Sequence, residues 1–453
     1  MLFRLIDVKL KLCDPGAKFF FIAFWRCYGA ATPEPCSLKK LAEGLRLPAQ
    51  AVSKAVAQLV DAAILRVVTQ PEGRGRPRCT YEMSKAVQSD LGDIEERALN
   101  HSVLVEHLLS GERIRAIWPG WKGDAQPVRG SGARSRGEKR VAPGRVGQLS
   151  LANRLLLMIL LSRADPFGVV RDLSSKELCL LTGMDGAALK QRLRRLTALG
   201  FIRRHIPGVA SPVFAAKLKS IYLLNLNHLQ LSPGGDVICT AVHQTFDDSG
   251  IDCRFVTSVR VDRDSFVKRA GYQTKVSVLR LLRLAPDHAF DQLEFFICEC
   301  ASDFLSRHRG LVDLGPWEGL RGIDSALKDR VATFFRIPMF DPKDKAVLDH
   351  GEVIEFFQGL IFELADEYAR RFSQLSQVSF ANVSFILVPT HISIGHRSIA
   401  LLIKRPPGCG QADHWTVIKG CGEPVVTHVL RETDISLELR DKSGLLTSPR
   451  GAA

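Results

Sequence analysis

The amino-acid sequence predicts an α+β protein with two N-terminal domains of one helix–turn–helix–hairpin type, a basic linker between them, and a larger α+β domain behind them. Two observations lead to this division. The pattern of residues 37–83 returns 137 positions later, beyond a segment rich in glycine and basic residues. Residues 1–220 hold 36 Lys and Arg against 19 Asp and Glu, whereas residues 221–453 have a net charge of −3. This asymmetry indicates a polyanion-binding half joined to a half with another task.

The composition limits the class of protein. A chain of 453 residues accommodates two to four domains, each with its own core. Its longest apolar runs, Phe19–Trp25 and Leu155–Leu161, are seven residues long, far short of the ~20 that span a bilayer. No signal peptide is evident. The eleven cysteines are an odd number without paired spacing, which indicates free thiols in a reducing compartment. We therefore expect a cytoplasmic protein without a membrane partner.

Residues 1–118 form the first predicted domain. Its first helix, roughly Asp14 to Tyr28, is almost wholly apolar, so we expect it either beneath the other helices or against a partner subunit. Ser37 is suited to cap a short helix, and Pro48 suits the first position of a second helix, where its missing N–H costs nothing. Apolar residues at three- and four-residue spacing mark the buried side of that second helix: Val52, Ala55, Val56 and Leu59.

The opposite side of this second helix carries small or polar side chains that can lie near base edges. These are Gln50, Ser53, Lys54, Ala57 and Gln58. Ile64–Thr69 and Arg78–Met83 then read as two strands, with a turn at Gln70–Pro77 between them. The order of helix, tight turn, helix and β-hairpin is that of a winged helix-turn-helix.

Two stretches of this domain, LAEGLRLPAQAVSKAVAQLVDAAIL and GRGRPR, resemble winged-helix transcription regulators of the MarR and ArsR type. The hairpin tip also resembles the core of an AT-hook, a segment that lies in narrow A·T minor grooves. The resemblance implies DNA contact by Arg74, Arg76 and the adjacent Arg78. Glycines let the backbone approach DNA, and guanidinium groups favour the negative potential of a narrow groove. An ordinary hairpin with a solvated basic turn is the alternative.

The stretch after the hairpin, from Ser84 to about Ile117, is helical in pattern. In the families that the domain resembles, such flanking helices often build a dimer interface; packing on the same domain is the alternative. Residues 119–148 are too polar and glycine-rich to pack. We expect a disordered linker there, whose charge binds DNA phosphates without sequence preference.

The first domain recurs in residues 149–226. An offset of 137 positions aligns the two stretches without a gap over some fifty residues. The aligned pairs include Ser37 with Ser174, Leu41 with Leu178, Val52 with Leu189, and Leu59 with Leu196. Few residues are identical, yet the apolar core positions stay in phase. A repeat of this kind decides the architecture of the whole half, and it predicts a second winged helix-turn-helix.

The second domain has clearer capping signals and a more basic recognition helix. Ser174 and Glu177 form a capping box, and Asp185 can cap the next helix. The predicted DNA contacts of this domain are Lys190, Gln191, Arg192, Arg194, Arg195 and Arg203. Cations at this spacing repel each other unless a polyanion is bound. Since the wing, Pro207–Pro212, is apolar, we expect this domain to supply phosphate contacts and the first domain to read base edges and an adjacent minor groove.

Residues 227–453 predict an α+β domain that oligomerises the protein or senses a signal. Helical patterns lie at Val267–Leu284, His288–Arg307 and Lys345–Phe372, and short strands at Val383–Val388, Ser398–Lys404, Trp415–Ile418 and Val425–Leu430. No phosphate-binding glycine fingerprint occurs. Cys409, His414 and Cys421 form a loose cluster of metal-ligating residue types, but no catalytic constellation accompanies it.

These features predict a bacterial-type, sequence-specific transcription regulator that binds double-stranded DNA, is not an enzyme and needs no cofactor or metal. We expect a homo-oligomer with a small-molecule effector or a protein partner. Two winged helices span grooves about 34 Å apart, and a flexible linker would tolerate variable spacing. A plasmid-type replication initiator that binds origin repeats is the alternative, since some initiators also consist of tandem winged helices. A third interpretation is an enzyme that acts on a small molecule through its C-terminal domain.

Overall fold

A computed structural model describes residues 1–10, 13–70, 78–110, 114, 148–228, 230–231, 238–246, 276–308, 324–336, 349–373, 384–393, 396–404, 415–419, 440 and 445. The chain divides into two compact units: Met1–Ile202 with Leu224–Pro233, and Arg203–Leu223 with Gly234–Ala453. Helices and small sheets are mixed, in agreement with the predicted α+β class. Within the described ranges, no helix is long and apolar enough to cross a bilayer.

The first module consists of a long apolar helix, a pair of shorter helices and a hairpin. Its elements are α2 (Pro15–Tyr28), α3 (Leu38–Gly44), α4 (Ala49–Asp61), β1 (Leu65–Gln70) and β2 (Arg78–Met83), preceded by α1 (Leu2–Asp7). Asp14 and Ser37 cap α2 and α3 with their side chains, and Pro48 is the N-cap of α4, one position earlier than predicted. The antiparallel pairing of β1 with β2 confirms the predicted hairpin.

The helical pattern after the hairpin is confirmed only in part, because two helices replace one. They are α5 (Lys85–Asp93) and α6 (Ser102–Leu109). Ile94, directly after α5, has an extended backbone with ψ of 125°. The preceding Gly92 and Asp93 are poor helix formers, which explains why α5 ends there.

The second module repeats the order of the first. Its elements are α7 (Leu151–Arg163), a short β3 (Val169–Val170), α8 (Ser175–Thr182), α9 (Gly186–Ala198), β4 (Ile202–Ile206) and β5 (Ile221–Leu224). Ser174 and Glu177 form the predicted capping box, and Asp185 caps α9. The three strands form a sheet in the order β3-β5-β4.

Positive φ angles recur at two turn positions that the 137-residue offset pairs. Arg46 before α4 and Gly183 before α9 have φ angles of 54° and 71°. Ala63 and Gly200, each two residues beyond the end of its helix, have φ angles of 55° and 81°. Positive φ is uncommon outside glycine. Its recurrence at the same offset, with arginine and alanine in the first copy, therefore indicates a shared fold and not a shared composition.

The apolar helices α2 and α7, which are equivalent in the repeat, pack against each other. Helix α2 also packs on α4, and α7 packs on α6 and α8. Seven consecutive residues of α7, Leu155–Leu161, have no exposed surface. A helix that is apolar on all sides must be buried on all sides. The other module of the same chain thus covers part of the apolar surface of α2 and of α7. This packing corrects the expectation that a flexible linker lets the modules adopt variable spacing.

A buried cation joins α2, and another joins α7, to the shorter helix that precedes it in the chain. Lys18, which is 2% exposed, donates from Nζ to the carbonyl oxygens of Ile6 (2.8 Å) and Val8 (2.7 Å) at the end of α1. Arg154, which is 7% exposed, donates from Nε to the carbonyl oxygen of Leu108 in α6 (2.8 Å). Both cations stand in the first turn of their helix, and both satisfy carbonyl groups that a helix end leaves without a partner.

Burial lowers the pKa of Lys18 to about 7, although Asp7 and Cys13 act in the opposite direction. The unfolded chain therefore binds more protons than the folded chain between pH 7 and the ordinary lysine value of 10.5. Since the free energy of unfolding rises with pH wherever the unfolded state binds more protons, Lys18 should make the protein more stable as pH rises through this window. The gain is on the order of a few kcal/mol.

Denaturant unfolding at several pH values between 6 and 10 measures this effect. Lys18→Met should flatten the rise in unfolding free energy across the window, because no titrating group is left at the site. Lys39→Met, at an exposed position of α3, is the matched control and should keep the slope of the unmodified protein. Parallel curves for all three proteins would contradict the prediction.

The second unit combines a helical layer with a four-stranded sheet. Its elements are β6 (Ile238–Phe246), α10 (Val276–Arg283), α11 (Ala289–Arg307), α12 (Ser325–Phe334), α13 (His350–Ser373), β7 (Ser384–Ser393), β8 (His396–Lys404) and β9 (Trp415–Lys419). The sheet order is β7-β8-β6-β9, in which only β6 and β9 run parallel. Helix α11 packs on β7 and on α13. Helices α10, α11 and α13 and strands β7 to β9 match predicted segments, β6 and α12 do not, and Val425–Leu430 lies outside the described residues.

The segment between β4 and β5 belongs to this second unit and is longer than the predicted wing. Val209 and Leu218 exchange two backbone hydrogen bonds across it. Val209, Val213 and Phe214 are buried in one apolar cluster with residues of α10 to α13. The apolar character of the second wing is explained by this burial.

Candidate nucleic-acid interface

Helix α9 presents a cationic face because its apolar residues occupy the opposite side. Leu189, Leu193 and Leu196 are buried. The exposed side chains on the other side are Lys190, Gln191, Arg194 and Arg195, all predicted as DNA contacts. Asp185 fixes the start of this helix by accepting the backbone N–H of Ala188 at 2.7 Å. The four side chains are thus exposed as the sequence predicts, and their contact with DNA stays a prediction.

The described part of the chain does not neutralise the charges of this face. Among the described residues, no carboxylate lies within ion-pair distance of Lys190, Arg194 or Arg195. Arg192 differs, because its Nη1 donates to Ser150 Oγ (2.9 Å) and Asn153 Oδ1 (3.3 Å) at the start of α7. Burial and the positive charge of Arg195 together lower the pKa of Arg192. Arg192 thus anchors α9 to α7, while its neighbours face solvent.

Helix α4 of the first module is held in a similar way, by an acid. Lys54 Nζ lies 2.7 Å from Asp14 Oδ2, and Gln58 Nε2 donates to the same oxygen at 3.2 Å. Desolvation would raise the pKa of Asp14, but hydrogen bonds from Lys54 and from the Ala17 N–H outweigh it and lower the pKa. Gln50 and Ser53 are exposed on the same helix. An exposed ion pair contributes little energy, so Lys54 can leave Asp14 when another anion is near.

In each module, therefore, the N-terminal end of the apolar core helix, α2 or α7, fixes the helix that follows the turn, α4 or α9. Asp14 does this for α4, and Ser150 with Asn153 does it for α9. Sequence reasoning missed these residues as positioning groups. In the sequence, the position of Asp14 before α2 indicates no more than a helix cap. Its second contact, with Lys54, lies 40 residues away and leaves no local pattern.

The predicted contact by Arg203 is corrected. Its side chain is 3% exposed, and its Nη1 donates to the carbonyl oxygen of Leu445 at 3.3 Å. A buried guanidinium cannot reach a phosphate. The neighbouring Arg204 pairs with Asp291 at 3.0 Å and donates to the carbonyl oxygen of Pro389 at 2.6 Å. Both arginines of β4 therefore stabilise the second unit.

Three other predicted positions are not placed by the structure. Arg74 and Arg76, at the tip of the first wing, lie outside the described residues, and Arg78 begins β2 without a described side chain. The loose cluster of Cys409, His414 and Cys421 also lies outside them. No group of three metal-ligating residue types occurs in the part of the chain that the structure describes.

Comparison of the chain with protein-family models, with curated proteins and with solved structures gives no match.

Proposed function

We propose that this protein is a sequence-specific, double-stranded DNA-binding transcription regulator that contacts DNA through α4 and α9. The observation that carries the proposal is the exposed cationic face of α9, formed by Lys190, Arg194 and Arg195, to which the described residues offer no carboxylate partner. It stands on the second helix of a helix-turn-helix, the element that enters a major groove in this motif. The net charge of +14 supports a polyanion as the partner. The second unit would then oligomerise the protein or bind the signal, which is a small-molecule effector or a protein partner.

The proposal is tested by selecting duplexes from a random pool with the full chain. Enrichment of one sequence, followed by a change in transcription of a reporter that carries it, supports a regulator. Recovery of sequences without any common motif would contradict sequence-specific binding. The initiator alternative predicts binding to iterated origin repeats with no effect on transcription, so the same reporter distinguishes the two.

Asp14 is expected to limit non-specific binding by the first module, because it occupies Lys54 and Gln58. Asp14→Ser keeps a side-chain acceptor for the cap of α2 but releases both side chains. We expect affinity for unrelated DNA to rise about two- to fivefold, in keeping with the small energy of an exposed ion pair. Titration of a duplex of arbitrary sequence by fluorescence anisotropy measures the change. Asp61→Ser, which removes the same charge at the end of α4, is the control; an equal rise in both would mean that net charge alone is responsible.

The two modules are expected to differ in what they read. Arg76→Ala should relax the preference for A·T pairs beside the site, because a wing-tip guanidinium senses a narrow minor groove. Arg194→Ala should weaken binding to every sequence more evenly, as loss of a phosphate contact does. Footprinting of both variants on the selected site and on its A·T-depleted form compares them. Equal losses on both duplexes would contradict this division.

A further inference from the structure

The two recognition helices belong to one compact unit, and their separation is set by packed side chains. Helix α2, which carries Asp14 at its start, packs on both α4 and α7. The guanidinium of Arg154 in α7 lies over the ring of Phe19 in α2, 4.7 Å from its centroid. This contact is buried, since Phe19 has no exposed surface. Such interiors are close-packed and do not deform continuously.

A second contact brings the turn of the second module to the start of α2. At Gly183, between α8 and α9, an added Cβ would lie 2.1 Å from the carbonyl oxygen of Cys13. Only glycine permits this approach. Asp14, the next residue after Cys13, forms the ion pair with Lys54 of α4. The beginning of α9 and the middle of α4 are thus both located by the same few residues.

The contact between the modules joins equivalent parts of the repeat. Phe19 occupies the position of Leu156 in the second copy, and Arg154 occupies the position of Ala17 in the first. Phe19 is the fifth residue of α2 and Arg154 the fourth residue of α7, so the N-terminal parts of the two helices meet. A twofold axis generates contacts of one surface with its own equivalent, whereas a head-to-tail arrangement joins two different surfaces.

We infer that one chain occupies both halves of a single DNA site, whose half-sites are inverted relative to each other and separated by one fixed spacing. The inference rests on the proposed function, and it specifies the class of DNA that α4 and α9 bind together. The symmetry of a DNA site mirrors the symmetry of the protein that reads it. Because the two copies differ in sequence, the two half-sites differ as well. Residues 119–148 connect the modules but do not determine their spacing.

The experiment uses the full chain and the sequence selected from random duplexes. The two half-sites are first mapped by footprinting and then rebuilt in inverted and in direct order, each with zero to six added base pairs. We expect one inverted spacing to bind at least about tenfold more tightly than any other duplex of the set, the loss that corresponds to the mismatch of one or more base contacts. Native mass spectrometry of the best duplex should give one chain for the two half-sites.

A variant with a longer connection tests whether the packing of the modules or the length of residues 119–148 sets the spacing. Insertion of twelve glycine and serine residues between Gly130 and Ser131 lengthens the connection without altering the described residues. The preferred spacing should remain unchanged. A broader range of accepted spacings in this variant, preference for direct order, or two chains on the two half-sites would each overturn the inference while leaving DNA binding intact. Failure to select any sequence would overturn the proposed function and this inference with it.

Discussion

Replacement of both Arg194 and Arg195 by alanine is expected to lower affinity for the selected duplex about 10- to 100-fold at physiological salt. Each arginine that neutralises a phosphate releases a counterion on binding, so the slope of log affinity against log salt should become less negative by about two. The free protein holds these charges next to each other and to Arg192, whose pKa is lowered in part by Arg195. DNA binding relieves that repulsion, which adds to the expected loss.

The control for this variant removes the same charge elsewhere. Arg280→Ala with Arg283→Ala removes two exposed arginines from α10 of the second unit. Both double variants change the net charge equally, so a purely long-range electrostatic effect would weaken them equally. Titrations at four salt concentrations give affinity and slope together. The same slope in both double variants would mean that α9 is not the contact surface.

Local patterns predicted α3, α4, α8 and α9, several of their caps and the hairpin of the first module, but not α1, β3 or the break between α5 and α6. Ser174 and Glu177 lie three residues apart, and Asp185 acts on Ala188 within one turn. Interactions of this kind are encoded by neighbours in the sequence. The 137-residue repeat added information at longer range, because the phase of the apolar positions had to agree in both copies. It predicted the second module, whose turn at Gly183 has a positive φ, as Arg46 has in the first.

The same patterns could not predict which distant parts of the chain pack on each buried face. An apolar helix such as α2 has no polar side to indicate a direction, so burial beneath the helices of its own domain and contact with a partner subunit were the two alternatives, and packing on α7 was not predicted. Arg203 was predicted as a DNA contact because it continues the run of basic residues from α9 into the strand, yet its acceptor, the carbonyl of Leu445, lies 242 positions away. The wing around Val209 was apolar for a reason that lies in α10 to α13. All three cases depend on contacts between distant parts of the chain.

Phe19→Ala is expected to lower the free energy of unfolding of the first unit by about 3–5 kcal/mol, the usual cost of removing a buried aromatic ring. Phe19 has no exposed surface, and its ring also carries the guanidinium of Arg154. The variant therefore leaves a cavity in the first module and weakens the position of α7 in the second. Phe19→Leu keeps most of the apolar volume and should cost less than about 1.5 kcal/mol.

Hydrogen exchange of backbone amides shows which helices lose stability in Phe19→Ala. Since α2 packs on α4 and on α7, Phe19→Ala should reduce protection in α9 of the second module as well as in α4 of the first. Two independently folding modules would lose protection in α4 alone, because the substitution lies only in the first. Equal protection of α9 in the variant and in the unmodified protein would thus contradict the shared core, and with it the physical basis for a fixed distance between the two recognition helices. Reduced protection in both helices would mean that any DNA sequence read by α4 is read in a geometry that α7 and α9 help to define.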